Sequence, residues 1–178
     1  SSVIWMSSNY ALYGDMSRRM YEVLSANAPA VEPYSIDEMF LDLTGVPDAA
    51  GLAHRIRDLV RRIAKIPTCV GIGPTKTIAK LANKAAKSYR TGTGMCDLST
   101  AGARAAAYPG IEISDVWGLG PSSVIKLTKL GVKTVADFVV LPQDEVRELL
   151  TVVGARTHAE LNGVNCVPFS QLPPQRKS

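Results

Sequence analysis

The sequence predicts an α+β chain: an incomplete ferredoxin-like unit that lacks its first strand, followed by a small all-helical segment built around a helix-hairpin-helix. Three observations predict it. Over the first hundred residues the patterns run helix, strand, strand, helix, strand, helix, with a further strand-like stretch after them. After about Ala101 they change to short helices joined by glycine-containing turns. Within that second part, Trp117-Gly118-Leu119-Gly120 opens a hairpin whose stop and cap signals agree with it.

The elements run in order. Tyr13, Met16, Met20, Val23 and Leu24 repeat at helical spacing, so residues 7–27 read as a helix capped by Ser7 or Ser8 and ended by Pro29. Residues 31–36 and 39–44 read as two strands, closed by the turn Gly45-Val46-Pro47-Asp48. Residues 49–65 form an amphipathic helix, with Leu52, Ile56, Leu59, Val60 and Ile63 on one side and arginines over much of the rest. A short buried strand spans 68–72, a helix 75–88, and a final strand 93–98. This is a βαββαβ order without its first strand, which in such a sheet lies in the middle. Val3 to Met6 is apolar enough to supply a strand but fits a preceding subdomain equally well.

Composition sets bounds. A chain of 178 residues with 46% apolar content holds one ordinary domain or two small ones. No apolar run approaches the length of a membrane span, and no signal peptide is visible. There is no initiating Met, so a piece of something longer is expected. Cys69, Cys96 and Cys166 match no zinc or disulfide spacing, which fits a reducing cytoplasm. The net charge of +4 hides an asymmetry: residues 1–48 carry −5, residues 49–91 carry +9, and the remainder is balanced. An acidic segment followed at once by a basic one suits a site that holds cations beside phosphates; solvated helix faces give the same composition.

The most informative stretch is Tyr34-Ser35-Ile36-Asp37-Glu38-Met39-Phe40-Leu41-Asp42. Two adjacent acids interrupt a strand-like run, and in a regular strand one of them would face the buried side at high cost. The cost falls at a strand end or hairpin tip where both carboxylates reach a hard cation such as Mg²⁺. A polar hairpin tip with no metal is the competing reading. Asp42 adds a third acid.

Val70-Gly71-Ile72-Gly73-Pro74-Thr75-Lys76-Thr77 invites a phosphate-loop reading, which fails because Thr75 stands where that loop needs a glycine. The helix after it is more telling. Lys76, Lys80, Lys84 and Lys87 fall within an arc of about 80° at roughly 100° per residue. Like charges one turn apart repel, no acid on this helix relieves them, and a polyanion would. A merely solubilising face is the alternative.

In the hairpin, glycines at 118 and 120 allow positive φ and close approach of another backbone, and the first N–H groups of the next helix can hold a phosphate. Gly131 fits a helix C-terminus, and Thr134 with Asp137 fits the following cap. Lys126, Lys129 and Lys133 are near enough to help. Such contacts fix a duplex without reading its sequence. A helical hairpin that binds nothing is the alternative.

Together these residues resemble the Y-family, or translesion, DNA polymerases. Residues 34–42 resemble the palm motif of that family, Val70 through Lys87 its second palm signature, and Trp117-Gly118-Leu119-Gly120 its thumb hairpin. Ser7-Ser8-Asn9-Tyr10 through Asp15-Met16-Ser17, with Thr75-Lys76-Thr77, are most similar to the UmuC type. The resemblance implies template-directed transfer of a deoxynucleotide to a primer end, with two Mg²⁺ ions, in DNA damage tolerance. It implies Asp37 and Glu38 as metal-binding, catalytic acids, Lys87 as the triphosphate contact, and Gly118, Gly120, Lys76, Lys80, Lys84 and Lys126 as DNA contacts. Asp42 matches a structural acid. Implied partners are primer-template DNA and a deoxynucleoside triphosphate, with a UmuD-type subunit, a sliding clamp and a recombinase filament; no membrane is implied, and the place is the cytoplasm.

The resemblance also implies a division: residues 1–6 as the end of the fingers or a strand leading in, 7–100 as the palm, 101–168 as the thumb, and 169–178 as a linker toward a little-finger domain. The first metal-binding Asp of the family lies on the strand with no counterpart here, so the 178-residue polypeptide alone is expected to be inactive. A non-catalytic DNA-binding module, needing only the hairpin and the basic helix, is the second hypothesis. A palm-type nucleotide cyclase is a third, and the hairpin argues against it.

Overall fold

The computed structural model describes residues 3–4, 6–87 and 93–170. Of the strand considered at the start, Trp5 lies outside the described residues, while Val3, Ile4 and Met6 are exposed and in no strand. The tail expected as a linker lies outside them from residue 171 onward. The chain forms two compact units, residues up to Thr68 with Phe169 and Ser170, and Cys69–Pro168.

In the first unit, α1 spans Tyr10–Ser25. Its cap is Asn9 rather than Ser7 or Ser8: the Asn9 carboxamide oxygen accepts the Leu12 N–H at 3.0 Å, so the helix starts later than expected. Met20, Val23 and Leu24 are buried, whereas Tyr13 is exposed because the buried face begins only in the second half of the helix. β1 (Ala30–Pro33) pairs antiparallel with β2 (Met39–Asp42), with Ala30 opposite Asp42 and Pro33 opposite Met39. β1 ends early because Tyr34 to Glu38 form the connecting loop, and β2 starts at Met39 as expected but ends at Asp42, short of Thr44.

Asp48 caps α2 (Ala49–Leu59) by accepting the Gly51 N–H at 2.9 Å. The helix continues into a π-turn over Val60–Ala64, and Lys65 closes it at φ 60°. A π-turn adds a residue to the hydrogen-bonded ring and so rotates the later side chains about the axis. Ala53, Ile56, Val60 and Ala64 are buried, and Ile63, within the π-turn and expected inside, is turned out at 60% exposure. Ile56, Val60 and Ala64 close a core with Met20, Val23, Leu24 and Val31.

The second unit begins with a β-α-β crossover. β3 (Val70–Ile72) pairs in parallel with β4 (Met95–Asp97), and α3 (Lys76–Lys87) lies in the connection. Among the described residues both ladders are two-stranded, the outcome for a ferredoxin-like unit whose central strand is not among its elements. Helices α4 (Ala101–Ala107), α5 (Pro121–Lys129), α6 (Val135–Val139), α7 (Gln143–Leu149) and α8 (Val152–Leu161) complete the unit. One core runs from Ile78, Leu81 and Leu98 through Tyr108, Leu127, Val135, Phe138 and Val146 to Leu161. The lysine-bearing helix therefore shares its core with the helices after residue 101. Burial raises the pKa of the Tyr108 phenol to about 12, and its hydroxyl donates to the Leu161 carbonyl at 2.9 Å.

Candidate metal- and phosphate-binding residues

In the first unit, Asp37 and Glu38 lie in the hairpin loop and not within a strand, which removes the cost of burying one of them. The loop is built by its own hydrogen bonds. Tyr34 and Ser35 N–H groups both donate to the Glu38 carbonyl at 3.0 Å. The Ser35 hydroxyl accepts the Glu38 N–H at 3.0 Å and donates to the Asp37 carboxylate at 2.7 Å. Asp37 is exposed and Glu38 half-buried. Asp42 turns to local work: it accepts the Thr44 N–H at 2.9 Å, and the hydrogen bonds from Thr44 hold its pKa below the ordinary carboxylate value. The donor set suits a hard cation in kind, since both groups are oxygen ligands. Among the described residues no group of three His, Cys, Asp or Glu gathers to hold a metal.

In the second unit, α3 starts where Thr75 accepts the Ile78 N–H at 3.2 Å, a helix cap. The strand meets this helix closely: a Cβ on Gly71 would lie 2.0 Å from the Asn83 backbone nitrogen, and one on Gly73 2.5 Å from Ile78 Cγ2. The glycines that suggested a phosphate loop thus serve strand–helix packing.

The lysine stripe is real in spacing but not open along its length. Lys76 Nζ donates to the Pro168 carbonyl at 2.8 Å. Lys80 Nζ stands 5.4 Å from the Trp117 ring centroid, a cation–π distance. Lys84 pairs with Asp115 at 2.5 Å, both side chains more than a third exposed. The acid that relieves the stripe comes from the turn before α5, a partner that inspection of the helix alone could not find. Lys87 ends the helix and is exposed.

The hairpin has the expected stop and cap. Gly131 has φ 83°, the Val132 N–H donates to the Leu127 carbonyl at 3.1 Å, and the Gly131 N–H donates to the Thr128 carbonyl at 3.0 Å, a complete Schellman motif. Thr134 and Asp137 form a reciprocal capping box on α6. The two glycines differ. Gly118 has φ 91° and its side is filled, since a Cβ there would stand 2.7 Å from Thr157 Oγ1. Gly120 has φ −75°, so it does not use the positive-φ freedom expected of it; it precedes Pro121 as the residue before α5, with open space around it and no side chain capping the helix. That leaves a helix start which another molecule can approach. Lys126 is exposed and donates to the Leu149 carbonyl at 3.1 Å.

Sequence reasoning missed Glu160. It is 0% exposed, yet it lies on α8 in an ordinary helical pattern, and its partner Thr77 is 83 residues away. Nothing local marks it.

Residues 1–84 match the impB/mucB/samB family. Over 99% of its length the chain is 40% identical to "Protein UmuC" of Salmonella typhimurium, covering 43% of that protein. It is 30% identical to "DNA polymerase IV" of Moorella thermoacetica, across 93% of this chain and 41% of that one. Among solved structures, a DinB family error-prone DNA polymerase from Sulfolobus solfataricus superposes with a TM-score of 0.78 at 21% identity, over 94% of this chain and 51% of that one. An insertion ternary complex of Dbh DNA polymerase superposes at 0.75 with 22% identity, over 93% and 48%. The fold is that of these polymerases, and the chain spans less than half the length of the curated relatives named.

Proposed function

We propose, from the match of residues 1–84 to the impB/mucB/samB family, that this chain is the palm-and-thumb portion of a translesion DNA polymerase, which adds deoxynucleotides to a primer end on a DNA template. The observation that carries the reading is the position of Asp37 and Glu38: adjacent acids on a self-built hairpin loop, inside the matched segment, with Asp37 open to solvent. In this reading residues 7–100 are the palm and 101–168 the thumb. Asp37 and Glu38 hold Mg²⁺, which activates the primer hydroxyl and neutralises the triphosphate when bound. Lys87, exposed at the end of α3, contacts the triphosphate. The uncapped start of α5 at Gly120, with Gly118 and Lys126, takes a DNA-strand phosphate; Lys76, Lys80 and Lys84, like Lys126, already make a contact within the unit with which a phosphate competes. A UmuD-type subunit, a sliding clamp and a recombinase filament belong to this reading as partners of the whole protein, and the cytoplasm as its place.

The test is primer extension with Mg²⁺ on a lesion-bearing template, using the full-length protein that carries this segment. Asp37→Ala is expected to lower extension at least about a hundredfold, the several kcal/mol a metal contributes, while DNA affinity stays near normal. The 178-residue polypeptide alone is expected to give no extension, having two acids and, among the described residues, no third beside them. Extension that survives Asp37→Ala would remove Asp37 from the metal site, and a full-length protein that binds DNA but extends no primer would leave the non-catalytic DNA-binding reading standing instead.

A further inference from the structure

Glu160 is a fully buried carboxylate with both oxygens engaged twice. One oxygen accepts the Thr77 N–H at 3.0 Å and the Thr77 hydroxyl at 2.8 Å. The other accepts the N–H groups of Cys166 at 2.8 Å and Val167 at 3.0 Å. The Glu160 carbonyl takes the Thr75 hydroxyl at 3.1 Å. Helix α8 therefore grips the first turn of α3 on one side and the strap 166–168 on the other, and Lys76 completes the clasp on the Pro168 carbonyl.

A buried carboxylate this costly is kept only where its donors are fixed, and here two of them belong to the start of the helix that bears the lysines. We propose that Glu160 is a positioning residue for phosphate binding. Through Thr77 it sets where α3 begins and how the helix is rotated, and hence where Lys87 stands, ten residues beyond Thr77 and about 15 Å along the axis. Starting the helix one residue away would turn the lysine stripe by roughly 100°. The proposal rests on the polymerase reading for the identity of the ligand, a nucleoside triphosphate, but not for the geometry.

Glu160→Gln is the first variant, since an amide nitrogen on either side faces two N–H or O–H donors. Thr77→Val is the second and removes one donor with little change of volume; Thr77→Ser restores it. In the full-length protein, Glu160→Gln is expected to raise the nucleotide KM about tenfold, with kcat within about twofold, as lost uniform binding does. Its affinity for inorganic tripolyphosphate should fall in parallel. Thr77→Val should move both in the same direction and Thr77→Ser neither, which keeps the test decisive if Glu160→Gln fails to fold. A lowered Tm with unchanged KM and unchanged tripolyphosphate affinity in Thr77→Val would overturn the proposal and leave Glu160 a stabilising group only. A wild-type protein without extension, whose tripolyphosphate affinity still drops in the variants, would overturn the polymerase reading and sustain the positioning role.

Discussion

A methyl group on Gly71 would sit 2.0 Å from the Asn83 nitrogen and 2.3 Å from the Ala79 carbonyl oxygen, both backbone atoms that cannot swing aside. Gly102, inside α4, has nothing within 4 Å of its Cβ position. Alanine at the two sites should therefore act in opposite directions. Gly71→Ala is expected to destabilise by about 1–3 kcal/mol or more through overpacking. Gly102→Ala should stabilise by about 0.5–1 kcal/mol through the unfolded chain and helix propensity. Urea midpoints at constant m-value read both; a neutral Gly71→Ala would mean that β3 and α3 do not meet so closely. Thr75 in place of a glycine ruled out a phosphate loop from the sequence, but nothing there showed what Gly71 and Gly73 were for, because the backbone they admit lies across the crossover. Glu160 was illegible for a related reason. A buried acid looks like any other acid until its distant donors are known.

At the scale of elements, local signals were reliable where both ends of an interaction lie within a few residues. Gly131 as the end of α5 and Thr134 with Asp137 as the start of α6 were legible, since a cap is written in four or five consecutive positions. The π-turn after α2 was not, because nothing in the sequence from Val60 to Ala64 departs from a helical pattern. The capping box yields a prediction of its own. Thr134→Ala should cost about 1 kcal/mol, seen as a lower Tm. The backbone N–H groups of Thr134 and Lys133 hold the Asp137 carboxyl below its ordinary value of 3.8. A group with a depressed folded pKa lends stability that is present above the unfolded value and lost as pH falls through the folded one. The Asp137 arm of the box should thus persist at neutral pH and open only in acid. An NMR titration of Asp137 with a midpoint at or above the ordinary value would contradict it.

Across the whole molecule, the acid-rich beginning of the sequence lies in the first compact unit, while the base-rich middle is divided: Arg55, Arg57, Arg61, Arg62 and Lys65 belong to the unit with the acid loop, and Lys76, Lys80, Lys84 and Lys87 to the unit with the hairpin. The salt dependence of DNA binding tests how many of those lysines act on phosphates. Each contact adds about 0.9 to the slope of log K against log salt on a duplex. Lys87 is assigned to the triphosphate, so Lys87→Ala should leave the slope of DNA binding without nucleotide unchanged and serves as the control. Lys84 is paired with Asp115 before any DNA arrives, and forming a phosphate contact returns that ion pair to solvent. Asp115→Asn should therefore strengthen binding at low salt and steepen the slope by at most about 0.9, while Lys84→Ala removes that gain. Measured by anisotropy on one duplex in the full-length protein, this pairing of a gained and a lost lysine separates phosphate contact from general positive charge. A slope unmoved by Asp115→Asn and by Lys84→Ala would make this part of the stripe a solvated face, and the hairpin would then carry the DNA alone.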